Sequence, residues 1–180
     1  MTLIKADRIY SGRVLNLDLD TVRFPDGSTG QLEMIRHPGA SAVLPFLEDP
    51  SSPDPTVVLI RQFRHAADDF IYEVPAGRLD AGESPEQCAA RELVEETGYQ
   101  ASRFDRLTTI YTTPGFTDER IHLFLATGLT PGHHQREADE FLELHRFRWS
   151  QVLDLVQAGR VVDGKTLAAV MFVQCFVKKD

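Results

Sequence analysis

Apolar and polar residues alternate with a period of two through much of residues 3–37, where Leu15, Leu17 and Leu19 are interleaved with Asn16, Asp18 and Asp20. Pro25-Asp26-Gly27-Ser28 interrupts the alternation as a hairpin turn. The pattern predicts antiparallel strands with one wet face. Denser apolar runs at 40–47, 56–62 and 70–74 predict a second group of strands, divided by a Pro/Ser/Asp-rich surface loop at 48–55. Ser84-Pro85-Glu86-Gln87 then reads as a helix start. Serine is placed to cap it, proline suits the first helical position, and glutamine three residues after the cap completes a capping box. Gly98 supplies the stop. Strands are expected again at 105–111, 120–126 and 142–149. Ser150 is expected to cap a short helix ending at Gly159, and a largely apolar helix is expected over 166–177. Such irregular alternation favours an α+β fold, a mixed sheet with helices packed on it, over a strict βαβ succession.

Composition adds limits. A chain of 180 residues with 42% hydrophobic and 26% charged residues is in the ordinary globular range and is long enough for a self-sufficient core. The formal charge of -8 sets the surface against nucleic-acid phosphates, so an anionic substrate needs a local reversal of the field. Cys88 and Cys175 fall in helical stretches without metal or disulfide spacing and are expected to be buried, inert thiols. The six histidines form no ligand-spaced cluster. The first residues do not read as a signal peptide, and the longest apolar run, 167–173, falls far short of the ~20 residues that span a bilayer. A cytoplasmic protein with neither a membrane nor a nucleic-acid partner is the expectation.

The chemistry concentrates between Gly77 and Gly98. On a helix, Glu92 and Glu96 share a face, with Glu95 one step around. Like charges at that spacing destabilise an isolated helix, and a divalent cation removes the conflict, because carboxylate and carbonyl oxygens suit magnesium. Arg91 beside them is placed to orient a carboxylate such as Glu83 through a two-pronged pair. A solvated acidic face is the ordinary reading of any Glu-x-x-x-Glu. Here the wider pattern displaces it: Gly77, Glu83, Arg91-Glu92, an aliphatic residue, Glu95-Glu96 and Gly98. Seven fixed identities give a chance match on the order of 10⁻⁸ per window.

This pattern resembles the signature of the Nudix hydrolases, with Tyr99 as a soft departure where an aliphatic residue is more usual. The resemblance implies an α/β/α sandwich with a mixed sheet, a loop-helix-loop signature, and hydrolysis of a nucleoside diphosphate linked to another moiety. By match of position, Glu92, Glu96 and the carbonyl of Ala76 are expected to hold Mg²⁺, for which Mn²⁺ substitutes. Glu95, Glu83 and Arg91 support the catalysis, and Gly77 lets the chain turn tightly.

Three further stretches resemble the ADP-ribose pyrophosphatase branch of that family: Arg61-Gln62-Phe63-Arg64, Glu73-Val74-Pro75-Ala76-Gly77, and Thr113-Pro114-Gly115-Phe116-Thr117-Asp118-Glu119. They place Arg64, Glu73 and Gly115 among the substrate-binding residues. The acidic stretch Glu137-Ala138-Asp139-Glu140 is expected to deliver the water-activating base, Glu140 or else Glu137. Residues 1–38 are expected to form a small antiparallel sheet that builds a homodimer, and 39–180 the catalytic domain. Phe24 or Tyr10 is a candidate to stack on adenine. The expected reaction converts ADP-ribose to AMP and ribose 5-phosphate. The alternatives are a GDP-mannose or other nucleotide-sugar pyrophosphatase and a non-catalytic ADP-ribose sensor.

Overall fold

Strand β4 (Ala40–Pro45) has all six residues buried, the mark of a strand covered on both faces. Its odd and even positions feed two different cores. Val43 packs with Val58, Ala89, Leu93 and Phe124. Ala42 and Leu44 pack with Leu59, Leu123, Val152 and Val170. The computed structural model describes residues 1–132 and 142–178, and contacts divide the chain into two compact units. One is Met1–Gly39 with Tyr111–Arg120, the other Ala40–Ile110 with Ile121–Asp180.

The first unit is a three-stranded antiparallel sheet of β1 (Thr2–Ser11), β2 (Asn16–Arg23) and β3 (Thr29–Arg36), in the order β1-β2-β3. The turn after β2 closes as its residues predict: Gly27, at φ 88°, donates its N–H to the Phe24 carbonyl at 3.0 Å. The wet face does not fall on the aspartate side. Asp18 and Asp20 are buried, while Leu17 and Leu19 are only half-buried. The reason is Arg36, whose Nε donates to Asp18 at 3.0 Å and whose Nη2 donates to Asp20 at 2.6 Å; Arg8 donates to Asp18 as well. Charge-assisted pairing makes a polar sheet face buriable. The segment Tyr111–Arg120 joins this unit through a parallel bridge from Ile35 to Thr117 and a hydrogen bond from Ile35 N–H to the Phe116 carbonyl at 2.8 Å.

The second unit holds two sheets. One runs β7-β4-β9-β8, formed by β7 (Ala76–Arg78), β4, β9 (Arg120–Pro131) and β8 (Tyr99–Tyr111); β4 pairs parallel with β9 and antiparallel with β7, so the sheet is mixed. The other runs β10-β5-β6, formed by β10 (Leu142–Arg148), β5 (Thr56–Arg64) and β6 (Asp69–Glu73). Helix α1 (Pro85–Thr97) packs against β4 and β7, and α2 (Trp149–Gln157) and α3 (Gly164–Phe172) contribute to the opposite core. Helices on both sides of a mixed sheet make the expected α/β/α sandwich.

Helix boundaries follow the capping chemistry, with two departures. In α1 the Gln87 N–H donates to Ser84 Oγ at 3.3 Å, the Ser84 N–H donates to Gln87 Oε1 at 2.9 Å, and Gly98 takes the left-handed conformation at φ 71°. Ser150 does not cap α2. It lies inside the first turn and gives its N–H and hydroxyl to Asp54, at 2.8 and 3.0 Å, so an acid from the 48–55 loop supplies the acceptor. The last helix begins at Gly164, not 166, because Asp163 caps it through the Thr166 N–H at 2.9 Å, and it ends in a wider π turn over Val173–Val177. Cys88 is buried as expected, whereas Cys175 is exposed on that π turn.

Candidate active site

On α1 the buried positions are Cys88, Ala89, Glu92, Leu93, Glu96 and Thr97, a single stripe at helical spacing. Two of its members are glutamates. Glu92 is 8% exposed and Glu96 4%, so neither belongs to a solvated face. Both turn toward β7. Glu96 Oε2 accepts the Ala76 N–H at 3.0 Å. Glu92 lies so close to Gly77 that a Cβ there would come within 1.8 Å of its Oε1. That approach, and not a tight turn, is what requires glycine. Gly77 sits in β7, opposite Ser41 of β4, and does not adopt a positive φ.

Arg91 ties the acidic group together. Its Nε and Nη2 reach Glu83 at 2.9 and 3.0 Å, and its Nη1 bridges Glu92 at 2.5 Å and Glu95 at 3.1 Å. Nη2 also donates to the Arg78 carbonyl at 3.0 Å. The hydrogen bond from Arg91 holds the Glu83 carboxyl below its usual range. The Arg91 guanidinium is raised correspondingly, first by the Glu83 bond and then by the charge of Glu92. Behind it, burial pushes the Cys88 thiol up to about 11, with the charge of Glu83 adding to the effect. That thiol is inert.

Glu92, Glu95, Glu96, Ala76 and Gly77 line a cavity of about 420 Å³, together with Gln62, Arg64, Arg78, Asp80 and Arg91. Three glutamates and Asp80 supply oxygen donors, the kind that suits a hard divalent cation, beside three arginines. Gln62 Oε1 is buried and makes no hydrogen bond to any described residue, which leaves an acceptor on this wall. The chemistry of the residues therefore fits a magnesium-like ion. Among the described residues no three carboxylates or imidazoles already converge on one point.

Arg64 reaches this cavity, but Glu73 does not line it. Glu73 is 1% exposed and is gripped by Arg64, with Nε to Oε1 at 2.5 Å and Nη2 to Oε2 at 2.8 Å, and by Lys165. Burial pushes its carboxyl up, and the Arg64 and Lys165 hydrogen bonds and charges outweigh that, so the net direction is down. Gly115 belongs to the first unit, where a Cβ would meet open space, and nothing in its surroundings requires glycine. Glu140 and Glu137 lie outside the described residues. Lys165, Gln62 and Asp80 escaped the sequence reading. Asp163-Gly164-Lys165-Thr166 carries a capping signal, yet nothing in it announces a partner on β6.

A helix that sets two buried glutamates and a bridging arginine against strand β7 gathers oxygen donors at the edge of a mixed sheet. The family model described as the NUDIX domain matches residues 36–170. The chain belongs to the NUDIX hydrolase family. It is 39% identical to an ADP-ribose pyrophosphatase of Bacillus subtilis (strain 168), over 95% of this chain and 91% of that protein. It is also 39% identical to a methanol dehydrogenase activator of Bacillus methanolicus, with the same coverage of each chain. Among solved structures it resembles the crystal structure of an ADP compounds hydrolase, with a TM-score of 0.82 and 20% identity over 98% of this chain and 93% of that one, a likeness of fold.

Proposed function

We propose that this enzyme hydrolyses ADP-ribose to AMP and ribose 5-phosphate with Mg²⁺, for which Mn²⁺ substitutes. The observation that carries the reading is the pair Glu92 and Glu96, buried side by side and turned onto the Ala76–Gly77 backbone. The similarity to an ADP-ribose pyrophosphatase along nearly the whole chain supports the choice of substrate.

Glu92, Glu96 and the Ala76 carbonyl are the ligands in this reading, with Glu95 beside them. A bound divalent cation supplies positive charge against the diphosphate and lowers the pKa of a coordinated water. Arg91 holds Glu83 and keeps the signature loop against α1. Arg64, on the cavity wall, binds a phosphate oxygen. Glu140, or in its place Glu137, takes the proton from the attacking water.

The test is product analysis with ADP-ribose, GDP-mannose and NADH as substrates, in magnesium and then in chelator. AMP and ribose 5-phosphate formed from ADP-ribose, and abolished by chelator, are expected; preferential turnover of GDP-mannose would move the enzyme to the nucleotide-sugar alternative. Saturation by Mg²⁺ at a hundred times its dissociation constant should stabilise the fold by about 2.7 kcal/mol, read as a rise in Tm. Single Glu140→Gln and Glu137→Gln variants decide the base, since only one should lose turnover.

The reading includes a homodimer built through residues 1–38. The outer strand β1 supports it, with Leu3, Ile4, Ile9 and Tyr10 exposed on an open sheet edge. Light scattering should give twice the chain mass, and a monomer would exclude it. A cytoplasmic location is supported by the two free thiols, the state that a reducing compartment maintains. Among the described residues no helix is long and apolar enough to cross a membrane.

A further inference from the structure

Glu73 has more cationic partners than one ion pair needs. Both its oxygens are taken by the Arg64 fork, and Oε2 also accepts from Lys165, whose side chain is 11% exposed. Lys165 is carried there by a rigid element. It occupies the first turn of α3, Asp163 caps that turn, and the buried Thr166 hydroxyl accepts the N–H of Val74, the residue after Glu73, at 2.9 Å. The Arg64 end of the network is open: its side chain is 43% exposed, it lines the acidic cavity, and it feels the charge of Glu96.

An arginine serves a phosphate only if its guanidinium is held facing it. Here that direction is set by Glu73, which Lys165 also holds. Asp163, 3.1 Å from Lys165, answers the charge of the lysine, so the four groups sum to neutrality and Lys165 acts through position. Lys165 adds a second donor to Oε2, beside Arg64 Nη2, in a nearly dry setting. With Lys165 present, Glu73 has one orientation available, and Arg64 inherits it.

We propose that Lys165 is a positioning residue for substrate binding: through Glu73 it orients Arg64 at the wall of the cavity. The proposal rests on the reading that this cavity receives a nucleoside diphosphate. Glu73, expected from sequence to bind substrate, acts on it through Arg64.

Lys165→Met keeps most of the side-chain length and removes the charge, while Lys165→Arg keeps the charge. In Lys165→Met the KM for ADP-ribose should rise about tenfold with kcat within about threefold, the pattern of lost binding and not lost chemistry. Lys165→Arg should recover most of the difference. The double variant with Arg64→Ala should be no worse than Arg64→Ala alone, because two residues acting through one contact are not additive. An independent readout uses no substrate: the Nε–Hε NMR signal of Arg64, slow to exchange in the natural protein and in Lys165→Arg, should exchange rapidly in Lys165→Met. An unchanged Arg64 signal in folded Lys165→Met, or multiplying effects in the double variant, overturns the proposal. If the natural protein leaves ADP-ribose untouched, the substrate reading fails instead, and the Arg64 signal alone decides the role of Lys165.

Discussion

Glu73 and Glu92 are both glutamates with less than a tenth of their surface exposed, and both face an arginine, yet their surroundings differ in one respect. Glu73 meets two cations, Arg64 and Lys165. Glu92 shares one, Arg91, with Glu83 and Glu95. Burial of a carboxylate is tolerated only when its charge is answered. In the first cluster the protein supplies the answer itself. In the second one guanidinium bonds three carboxylates, and the proposed divalent cation would add to it. On the proposed reading, the contrast separates an acid that holds structure from acids that hold an ion, a distinction that residue type alone does not make.

The largest expected effect comes from the acidic helix, where Glu96 stands one turn beyond Glu92 in the proposed ligand set. Glu96→Gln should reduce kcat/KM on the order of 10²–10³-fold, the several kcal/mol that a bound cation contributes to a transition state, while Tm in the absence of metal barely moves. A variant with near-normal turnover would remove Glu96 from the ligand set and break the comparison at its root. Glu73→Gln should do the reverse in thermal melting. Breaking a buried ion pair from one side costs about 3–5 kcal/mol, a fall in Tm of about 6–20 °C for a chain of this size.

The same pair differs in its response to acid. The folded Glu73 carboxyl is held below its unfolded value, so its stabilisation is complete above about pH 4.3 and is lost as the pH falls through the lower folded value. The stability gap between the natural protein and Glu73→Gln should therefore be widest near neutrality and close below about pH 4; a gap constant with pH would show that Glu73 is not the charged partner. The smallest effect sharpens the comparison by separating helix stability from chemistry. Ser84→Ala removes the α1 cap and should cost about 1 kcal/mol, or about 2–4 °C, with the metal dependence of turnover unchanged.

Several features were legible in the chain because they rest on interactions a few residues long. The Ser84 box and the Gly98 stop bounded α1, the turn at 25–28 closed its hairpin, and the i, i+4 spacing placed Glu92 and Glu96 on one face. Arg91 reaches Glu83 within the same short stretch. Position 150 shows the limit of such reasoning. Serine there has the right chemistry for a cap, but Asp54, remote in sequence, provided the acceptor and the helix began two residues earlier than a Ser150 cap requires, at Trp149.

What sequence determined by itself was the order of the longer elements, though not the short strand β7, together with the phase of the acidic helix and the family to which the chain belongs, because periodicity, capping and motif spacing are properties of neighbouring residues. Tertiary structure alone decided which polar groups are buried and what compensates them. Asp18 and Asp20 turned inward because Arg36 answers them, Gly77 is glycine because a carboxylate lies against it, and Glu73 found Lys165 across 92 positions of chain. A charge can be buried only where its partners converge, and that convergence exists only once the distant elements have packed.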